Sequence, residues 1–182
     1  MPSTSLVGLN PKQDKYIKVL DTHTSIICRG PAGTGKTYVP TVKAAEELLD
    51  GEIENIIMVR PIVPAGRTLG HLPGEYSDKV DPWMAPFIDI LADKLGTGRL
   101  KDLRRRENIQ FLTFETMRGR TFNDCYVILD EAQNATPREM EMFLTRLGHN
   151  CVAVICGDER QTDLYKREDC GLTDLINLVA QK

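Results

Sequence analysis

Residues 30–37, Gly-Pro-Ala-Gly-Thr-Gly-Lys-Thr, constrain the fold of this chain more than any other stretch. They match the G-x-x-x-x-G-K-[ST] pattern, the Walker A motif, at every position. An apolar, β-branched run precedes them at residues 25–29, and residues 38–49 have helical periodicity. A strand, a glycine-rich turn and a helix in this order present unpaired N–H groups and the positive end of the helix dipole to an anion. The sequence therefore predicts a phosphate-binding loop in an α/β fold.

The residue types of this loop predict that its ligands are a nucleotide and Mg²⁺. Glycine allows the backbone to approach a phosphate closely, Lys36 can reach the outer phosphates, and the Thr37 hydroxyl can hold Mg²⁺. The residues expected to contact the nucleotide phosphates are Gly30, Pro31, Ala32, Gly33, Thr34, Gly35, Lys36 and Thr37. These eight residues are called the glycine loop below.

The composition is typical of a globular protein, and we expect one domain over residues 1–182. Hydrophobic residues make up 41% of the chain and charged residues 27%. No apolar run approaches the roughly 18 residues needed to span a bilayer, and the first ten residues lack the charged and apolar regions of a signal peptide. The net charge of −3 requires any nucleic-acid site to be a local patch. The five cysteines lack zinc-ligand spacing, which favours free thiols in a reduced, cytoplasmic protein.

Short apolar runs alternate with helical segments, which favours a three-layer α/β sandwich with a mainly parallel sheet. The predicted strands are residues 25–29, 55–60, 109–113, 126–130 and 151–156. The predicted helices are residues 11–20, 36–49, 84–95, 137–147 and 172–180. We expect the strand at 151–156 to lie between those at 25–29 and 126–130.

A proline-rich excursion at about residues 61–86 interrupts this alternation. It contains five prolines and three glycines, with Arg60, Arg67, His71 and Trp83 at or near it. Long segments of this kind inside a compact domain are often functional. An ordered surface segment without a ligand is the alternative.

Two further strand ends supply polar side chains to the edge where the glycine loop opens. Asp130 and Glu131 end the apolar run at 126–130, as in a Walker B motif. Asp130 is expected to hold Mg²⁺ directly or through water, and Glu131 is expected to orient and polarise an attacking water. Gln161 follows the next apolar run, and its amide is suited to sensing a γ-phosphate or that water, with Asp158 orienting it. These groups predict a site for hydrolysis of the β–γ phosphoanhydride of ATP.

Arginine often stabilises the charge on a transferred phosphoryl group. Arg118 and Arg120 lie shortly before the strand that carries Asp130. One of them is predicted to act as an arginine finger, toward this site or that of a neighbouring subunit. An exposed structural pair is the alternative.

Several segments together resemble the PhoH family of P-loop ATPases, relatives of the superfamily-one helicases. The segments that carry this resemblance are residues 29–37, 59–61, 64–66, 72–74, 118–122, 130–134, 142–146, 157–158, Gln161 and 163–164. The resemblance covers about residues 10–178 and implies an ATPase with a RecA-like core. It also makes a hexameric ring plausible. Relatives are described as phosphate-starvation-inducible proteins, and some are linked to RNA unwinding or processing.

The resemblance also implies roles for individual residues. Gln13 looks like the helicase-type glutamine that reads the adenine edge, because its amide can both donate and accept. Tyr16 or Tyr38 could stack on the base or sugar, and Gln133 would couple the ATP site to neighbouring elements. The family pattern usually continues into a segment with an arginine–histidine pair. If that segment adds a strand or an arginine to the ATP site, we expect either that this protein is trimmed or that a partner subunit completes the site.

Mg²⁺-dependent ATP hydrolysis is the function that these residues favour. RNA or single-stranded DNA is a further predicted partner, supported by a basic cluster at Arg99, Lys101, Arg104, Arg105 and Arg106. A basic cluster near a loop is more often a solvated helix face or a subunit contact than a nucleic-acid site. The alternative function is a nucleotide-regulated assembly module with little hydrolysis. A small-molecule kinase or a GTPase is less favoured, since the sequence has neither an arginine-rich lid nor an Asn-Lys-x-Asp motif.

Overall fold

The computed structural model describes residues 6–62, 76–164 and 170–181, and within them an all-parallel five-stranded sheet. The strands are β1 (Ser25–Arg29), β2 (Asn55–Val59), β3 (Ile109–Leu112), β4 (Cys125–Leu129) and β5 (Cys151–Gly157). Their order across the sheet is β1-β5-β4-β2-β3. The prediction that β5 lies between β1 and β4 is confirmed. The predicted three-layer α/β class is also confirmed.

The helices cover both faces of this sheet. They are α1 (Pro11–Leu20), α2 (Tyr38–Asp50), α3 (Tyr76–Leu95), α4 (Thr97–Arg105), α5 (Pro137–Leu144) and α6 (Gly171–Ala180). Helices α1 to α4 pack on one face with Tyr126 and Ile128 of β4, and helices α5 and α6 pack on the other with Val127 and Leu129. Successive side chains of a strand point to opposite faces. A central strand covered on both faces is apolar throughout, which explains the uninterrupted run in β4.

The helix α3 corrects the prediction for residues 76–83, which lay in the proline-rich excursion and were assigned to no helix. The helix begins at Tyr76 and contains both Pro82 and Pro86. Each internal proline costs about 3 kcal/mol. Val80, Met84 and Phe87 share one face of α3 and are fully buried, which contributes about 1.5–3 kcal/mol for each side chain and offsets that cost. Arg67 and His71 lie outside the described residues.

The helix α4 was missing from the predicted elements. Leu100 is the only residue of this nine-residue helix that is fully buried. Because one buried leucine gives almost no apolar periodicity, the pattern was not visible in the sequence. The predicted helix end at Leu147 is also corrected, since α5 ends at Leu144. Its start at Pro137 is confirmed, and Thr136 and Glu139 form a capping box there.

Candidate functional site

The carboxyl ends of β1, β5 and β4 bring three polar segments to one edge of the sheet. The glycine loop follows β1, Asp158 and Gln161 follow β5, and Asp130 and Glu131 follow β4. The loop is joined to the neighbouring strand by a hydrogen bond from Gly30 N to the Gly157 carbonyl at 3.2 Å. Crevices at this edge of parallel sheets are the usual ligand sites of such folds.

The glycine loop has the backbone that its sequence predicts. Gly33 and Gly35 have φ angles of +76° and +83°, a region that glycine enters without steric cost. The Thr34 hydroxyl donates to the Pro31 carbonyl at 2.8 Å, which closes the turn. Pro31, Ala32, Gly33 and Thr34 are exposed, and Lys36 Nζ lies 3.5 Å from the Pro31 carbonyl. An anion that approaches this loop therefore meets backbone N–H groups and a lysine at the start of α2.

A short hydrogen bond joins the glycine loop to β4. The Thr37 hydroxyl donates to Asp130 Oδ1 at 2.6 Å, although Thr37 is also the N-cap of α2 and makes no side-chain capping bond. Asp130 is buried, and this burial raises the pKa of its carboxyl group, opposed by the hydrogen bond from Thr37. A hydroxyl and a carboxylate at this distance are hard oxygen donors of the kind that Mg²⁺ prefers. The two side chains fit the metal role that the sequence predicts.

Glu131 is held in an unusual backbone conformation directly after Asp130. Its φ angle of +51° lies in the left-handed region, which non-glycine residues seldom adopt. The Gln133 side chain donates to Glu131 Oε2, and Arg60 Nη2 lies 3.7 Å from Glu131 Oε1. Strained residues of this kind persist only where the surrounding contacts fix them, and they concentrate at functional sites.

The buried Gln133 connects this carboxylate to the segment after β5. Its Oε1 accepts a hydrogen bond from Asp158 N at 3.1 Å, and the Thr162 hydroxyl donates to its carbonyl at 3.0 Å. A Cβ atom at Gly157 would lie 2.9 Å from Gln133 Oε1, so a larger residue there would displace the Gln133 amide. Gln161 N donates to the Asp158 carbonyl, and the Gln161 side chain is exposed at the same edge. The sequence-based role of Gln161 stays a prediction.

Gln13 and Tyr38 line a cavity beside the glycine loop. It has a volume of about 580 Å³, and its walls also include Leu9, Gly35 and Val39. Gln13 Nε2 donates to the Thr34 carbonyl at 3.0 Å, while Gln13 Oε1 accepts from Leu9 N at 2.8 Å. A mostly apolar cavity with one amide at its rim has the size and polarity of an adenine pocket. Adenine recognition by Gln13 nevertheless stays a prediction.

Tyr16 lies behind the loop, away from the cavity that Tyr38 lines. Its hydroxyl donates to the Lys36 carbonyl at 3.0 Å, and the Cys156 thiol donates to the same carbonyl at 3.0 Å. Burial raises the pKa of the Tyr16 hydroxyl, which is therefore protonated and able to donate. These two donors fix the backbone of the residue that is expected to reach the phosphates.

A Tyr16→Phe substitution is expected to lower the free energy of unfolding by about 1 kcal/mol, because it removes a hydrogen bond to a partly buried carbonyl. The unfolding midpoint should fall by about 2–4 °C for a chain of this size. Thermal unfolding followed by circular dichroism measures this change. The control is Tyr38→Phe, which alters an exposed ring and should leave the midpoint unchanged. Equal midpoints for Tyr16→Phe and the wild type would contradict the assigned contact.

Arg118 and Arg120 make their contacts elsewhere in the chain. Arg120 donates to Gln110 on the edge strand β3 and stacks over Phe122 at 5.9 Å. Arg118 lines a cavity at the start of α5. Because β3 and β1 lie at opposite edges of the sheet, Arg120 is directed away from the glycine loop of its own chain. Their role as arginine fingers stays a prediction, and a neighbouring subunit would have to carry the receiving site.

The structure also assigns contacts to two arginines that had no role in the predicted ATP site. Arg29 pairs with Glu159 through two hydrogen bonds of 2.7 and 2.8 Å, which bridge the ends of β1 and β5. Arg60 lies next to Asp130 and Glu131 at the end of β2. A signal for Arg60 was present, since it directly follows an apolar strand, as Asp130 does.

The fold defines the class of protein to which this chain belongs. The UvsW helicase from bacteriophage T4 aligns with 93% of this chain and 57% of its own, with a TM-score of 0.59 and 14% identity. The Sulfolobus solfataricus SWI2/SNF2 ATPase core in complex with dsDNA aligns with 83% of this chain and 32% of its own, with a TM-score of 0.54 and 14% identity. At these identities the likeness concerns the fold alone, which is the RecA-like P-loop fold.

The family follows from sequence similarity. The profile of the PhoH-like protein family matches residues 5–182. The PhoH-like protein of Bacillus subtilis is 48% identical over 160 residues, which are 88% of this chain and 50% of that protein. Protein PhoH of Escherichia coli is 39% identical over 176 residues, 96% of this chain and 50% of that protein. The chain belongs to the PhoH family, and it spans about half the length of the curated relatives it matches.

Within the described ranges, none of the helices has the length and apolar character needed to cross a membrane. The five cysteines, all of which the structure describes, are free thiols.

Proposed function

We propose that this protein binds ATP with Mg²⁺ in the glycine loop and hydrolyses it to ADP and phosphate. The observation that carries the proposal is the 2.6 Å hydrogen bond between Thr37 and Asp130, which joins the loop to the strand end where Glu131 lies. One oxygen donor from each element is the arrangement that holds Mg²⁺ in P-loop proteins. When bound, Mg²⁺ supplies charge neutralisation for the β- and γ-phosphate oxygens.

The residues of the chain then have distinct roles. Lys36 would contact the outer phosphates, and Thr37 and Asp130 would hold the metal. Glu131 would orient the attacking water and accept its proton, and Gln161 would sense the γ-phosphate. The cavity lined by Gln13 and Tyr38 would receive the adenine. The family match over residues 5–182 supports the assignment of one ATPase domain to this stretch.

The proposal is tested by measuring binding and turnover in the same protein preparation. Lys36→Ala is expected to weaken Mg·ATP binding measured by calorimetry and to abolish phosphate release, since a charge on the outer phosphates is lost. Lys15→Ala on α1 is the control, because Lys15 is exposed and lies outside the proposed site. Equal affinity and equal phosphate release for wild type and Lys36→Ala would contradict the proposed site.

Coupling to single-stranded RNA or DNA is the finer part of the proposal. The proteins of known structure that share this fold include a helicase and an ATPase core solved in complex with dsDNA. Two members of the basic cluster have structural partners: Arg104 pairs with Asp81 and stacks over Phe111, and Arg105 pairs with Asp102. The nucleic acid would therefore rely on Arg99, Lys101 and Arg106. If single-stranded RNA or DNA neither binds at low salt nor raises ATP turnover, the coupling is excluded.

The second candidate function is a nucleotide-regulated assembly module. It is favoured by the contact of Arg120 with Gln110 on β3, which directs Arg120 away from the ATP site of its own chain. In that case ATP would organise a ring, such as the hexamer that the family resemblance makes plausible, and hydrolysis would be slow. A cytoplasmic location, consistent with reduced cysteines, fits both candidates.

A further inference from the structure

Arg60 lies at the carboxyl end of β2, between the ATP site and helix α3. Its backbone N–H donates to the Leu112 carbonyl at 3.3 Å, and the Val59 carbonyl accepts from Asp130 N at 2.9 Å. Since Val59 and Leu129 are paired in register, the residues that follow them, Arg60 and Asp130, emerge side by side. The backbone position of Arg60 is therefore fixed by both neighbouring strands.

Among the described residues, the guanidinium of Arg60 faces three partners. Nη1 donates to the Trp83 carbonyl on α3 at 2.7 Å, a direct hydrogen bond. Nε lies 3.9 Å from Asp130 Oδ2, and Nη2 lies 3.7 Å from Glu131 Oε1. Only 23% of the side chain is exposed, so these ion pairs are less screened than surface pairs. One rigid, planar group thus connects a helix backbone to both carboxylates of the proposed site.

The part of α3 that Arg60 contacts has weakened internal support. Pro82 and Pro86 flank Trp83, and neither has a backbone N–H to donate within the helix. Contacts from outside the helix therefore contribute more to its position there than they would in an uninterrupted helix. Glu131 has a second contact, from Gln133 on the opposite oxygen, so its carboxylate lies between two donors. A shift of the Asp130 or Glu131 carboxylate therefore changes the contacts that the Arg60 guanidinium can make.

We propose that Arg60 is a positioning residue that couples the Asp130 and Glu131 carboxylates to helix α3 through the Trp83 carbonyl. This inference rests on the proposed ATP site and specifies how that site would communicate with another surface. Nucleotide binding with Mg²⁺ would redistribute negative charge around Asp130 and Glu131. Arg60 would respond to this change and alter the position of α3 through its hydrogen bond to the Trp83 carbonyl. In the other direction, a ligand that moves α3 would change how Glu131 is held.

Trp83 provides a direct reporter, because it is the only tryptophan in the sequence and is 37% exposed. We expect a non-hydrolysable ATP analogue with Mg²⁺ to change the fluorescence of Trp83 in the wild type. Arg60→Ala should abolish this change while calorimetry shows analogue affinity within about threefold of wild type, since Arg60 contacts the carboxylates and no residue of the glycine loop. The matched control is Arg138→Ala, an exposed arginine on α5 that should keep the full response.

Turnover gives a second readout of the same coupling. Arg60→Ala should lower kcat for ATP about ten- to a hundredfold with little change in KM, because Glu131 loses a contact that orients it. Arg60→Lys keeps the charge without the planar fork, so it should restore part of kcat and leave the Trp83 response absent.

The outcomes separate this inference from the proposed function. Analogue binding by both proteins, with a Trp83 response in wild type only, supports the coupling. A response that persists in Arg60→Ala overturns it, as does the absence of any response in a wild type that binds the analogue. A wild type that fails to bind the analogue in calorimetry would instead overturn the proposed ATP site, and the coupling with it.

Discussion

Glu131→Gln is expected to abolish ATP turnover while leaving Mg·ATP affinity nearly unchanged. The amide has the shape of the carboxylate but cannot accept a proton from water, and loss of a general base typically costs about 10²- to 10⁴-fold in rate. The substituted side chain still offers an oxygen to the Gln133 amide, so the local structure should persist. Phosphate release under single-turnover conditions and calorimetry of Mg·ATP measure the two quantities.

The matched control for this prediction is Glu141→Gln, which neutralises an exposed glutamate on α5. It should release phosphate at the wild-type rate. Turnover at the wild-type rate in Glu131→Gln would exclude Glu131 as the general base. If Glu131→Gln forms the same oligomer as wild type and the wild type itself releases no phosphate under any nucleic-acid condition, the assembly function would replace hydrolysis.

Asp130→Asn is expected to weaken Mg·ATP binding and to stabilise the protein without ligand. The amide is a poor ligand for Mg²⁺, and loss of the carboxylate, whether it would hold the metal directly or through water, should cost at least about tenfold in Mg²⁺-dependent affinity. The stability effect has the opposite sign because Asp130 is buried, and burial raises its pKa above the ordinary value. Removing the buried charge should raise the free energy of unfolding at neutral pH by about 1 kcal/mol, and the midpoint by about 2–4 °C.

The pH dependence of this stabilisation follows from the direction of the pKa shift. The folded protein binds the Asp130 proton more tightly than the unfolded chain does, so the stability associated with the neutral carboxyl is lost as pH rises through the folded-state pKa. The advantage of Asp130→Asn should therefore be largest at neutral pH and should vanish below the ordinary pKa of aspartate. Thermal unfolding across this pH range tests it, with Asp93→Asn, an exposed acid on α3, as control. If Asp130→Asn were less stable than the wild type at pH 7, the predicted direction of the change in unfolding free energy would be wrong.

The sequence predicted the sheet and the edge that carries the site because both depend on local patterns. Strands β4 and β5 are continuous apolar runs followed by polar residues, and β1 has an apolar centre followed by the glycine loop. The carboxyl ends of parallel strands meet at one edge, so the association of Thr37 with Asp130 followed from topology. Thr37 and Asp130 are 93 positions apart in the sequence, so their contact could not be predicted from the glycine loop alone.

The sequence failed where long-range packing overrides local preference. Pro82 predicts a break in a helix, but the buried face formed by Val80, Met84 and Phe87 keeps α3 intact. In α4 a single buried leucine gives too weak a pattern to recognise. The contacts of Arg60 depend on where α3 packs, so an error in α3 concealed them. The placement of Arg120 likewise depends on the strand order, which puts its partner strand β3 at the far edge.

The most direct test of the central claim is phosphate release from ATP by the wild-type protein, with Mg²⁺ and with excess EDTA, in the presence of single-stranded RNA or DNA. The proposed site predicts release that requires Mg²⁺, because Thr37 and Asp130 would hold the metal against the phosphates. Release at the same rate in EDTA, or no release from a protein that calorimetry shows to be saturated with Mg·ATP, would contradict it.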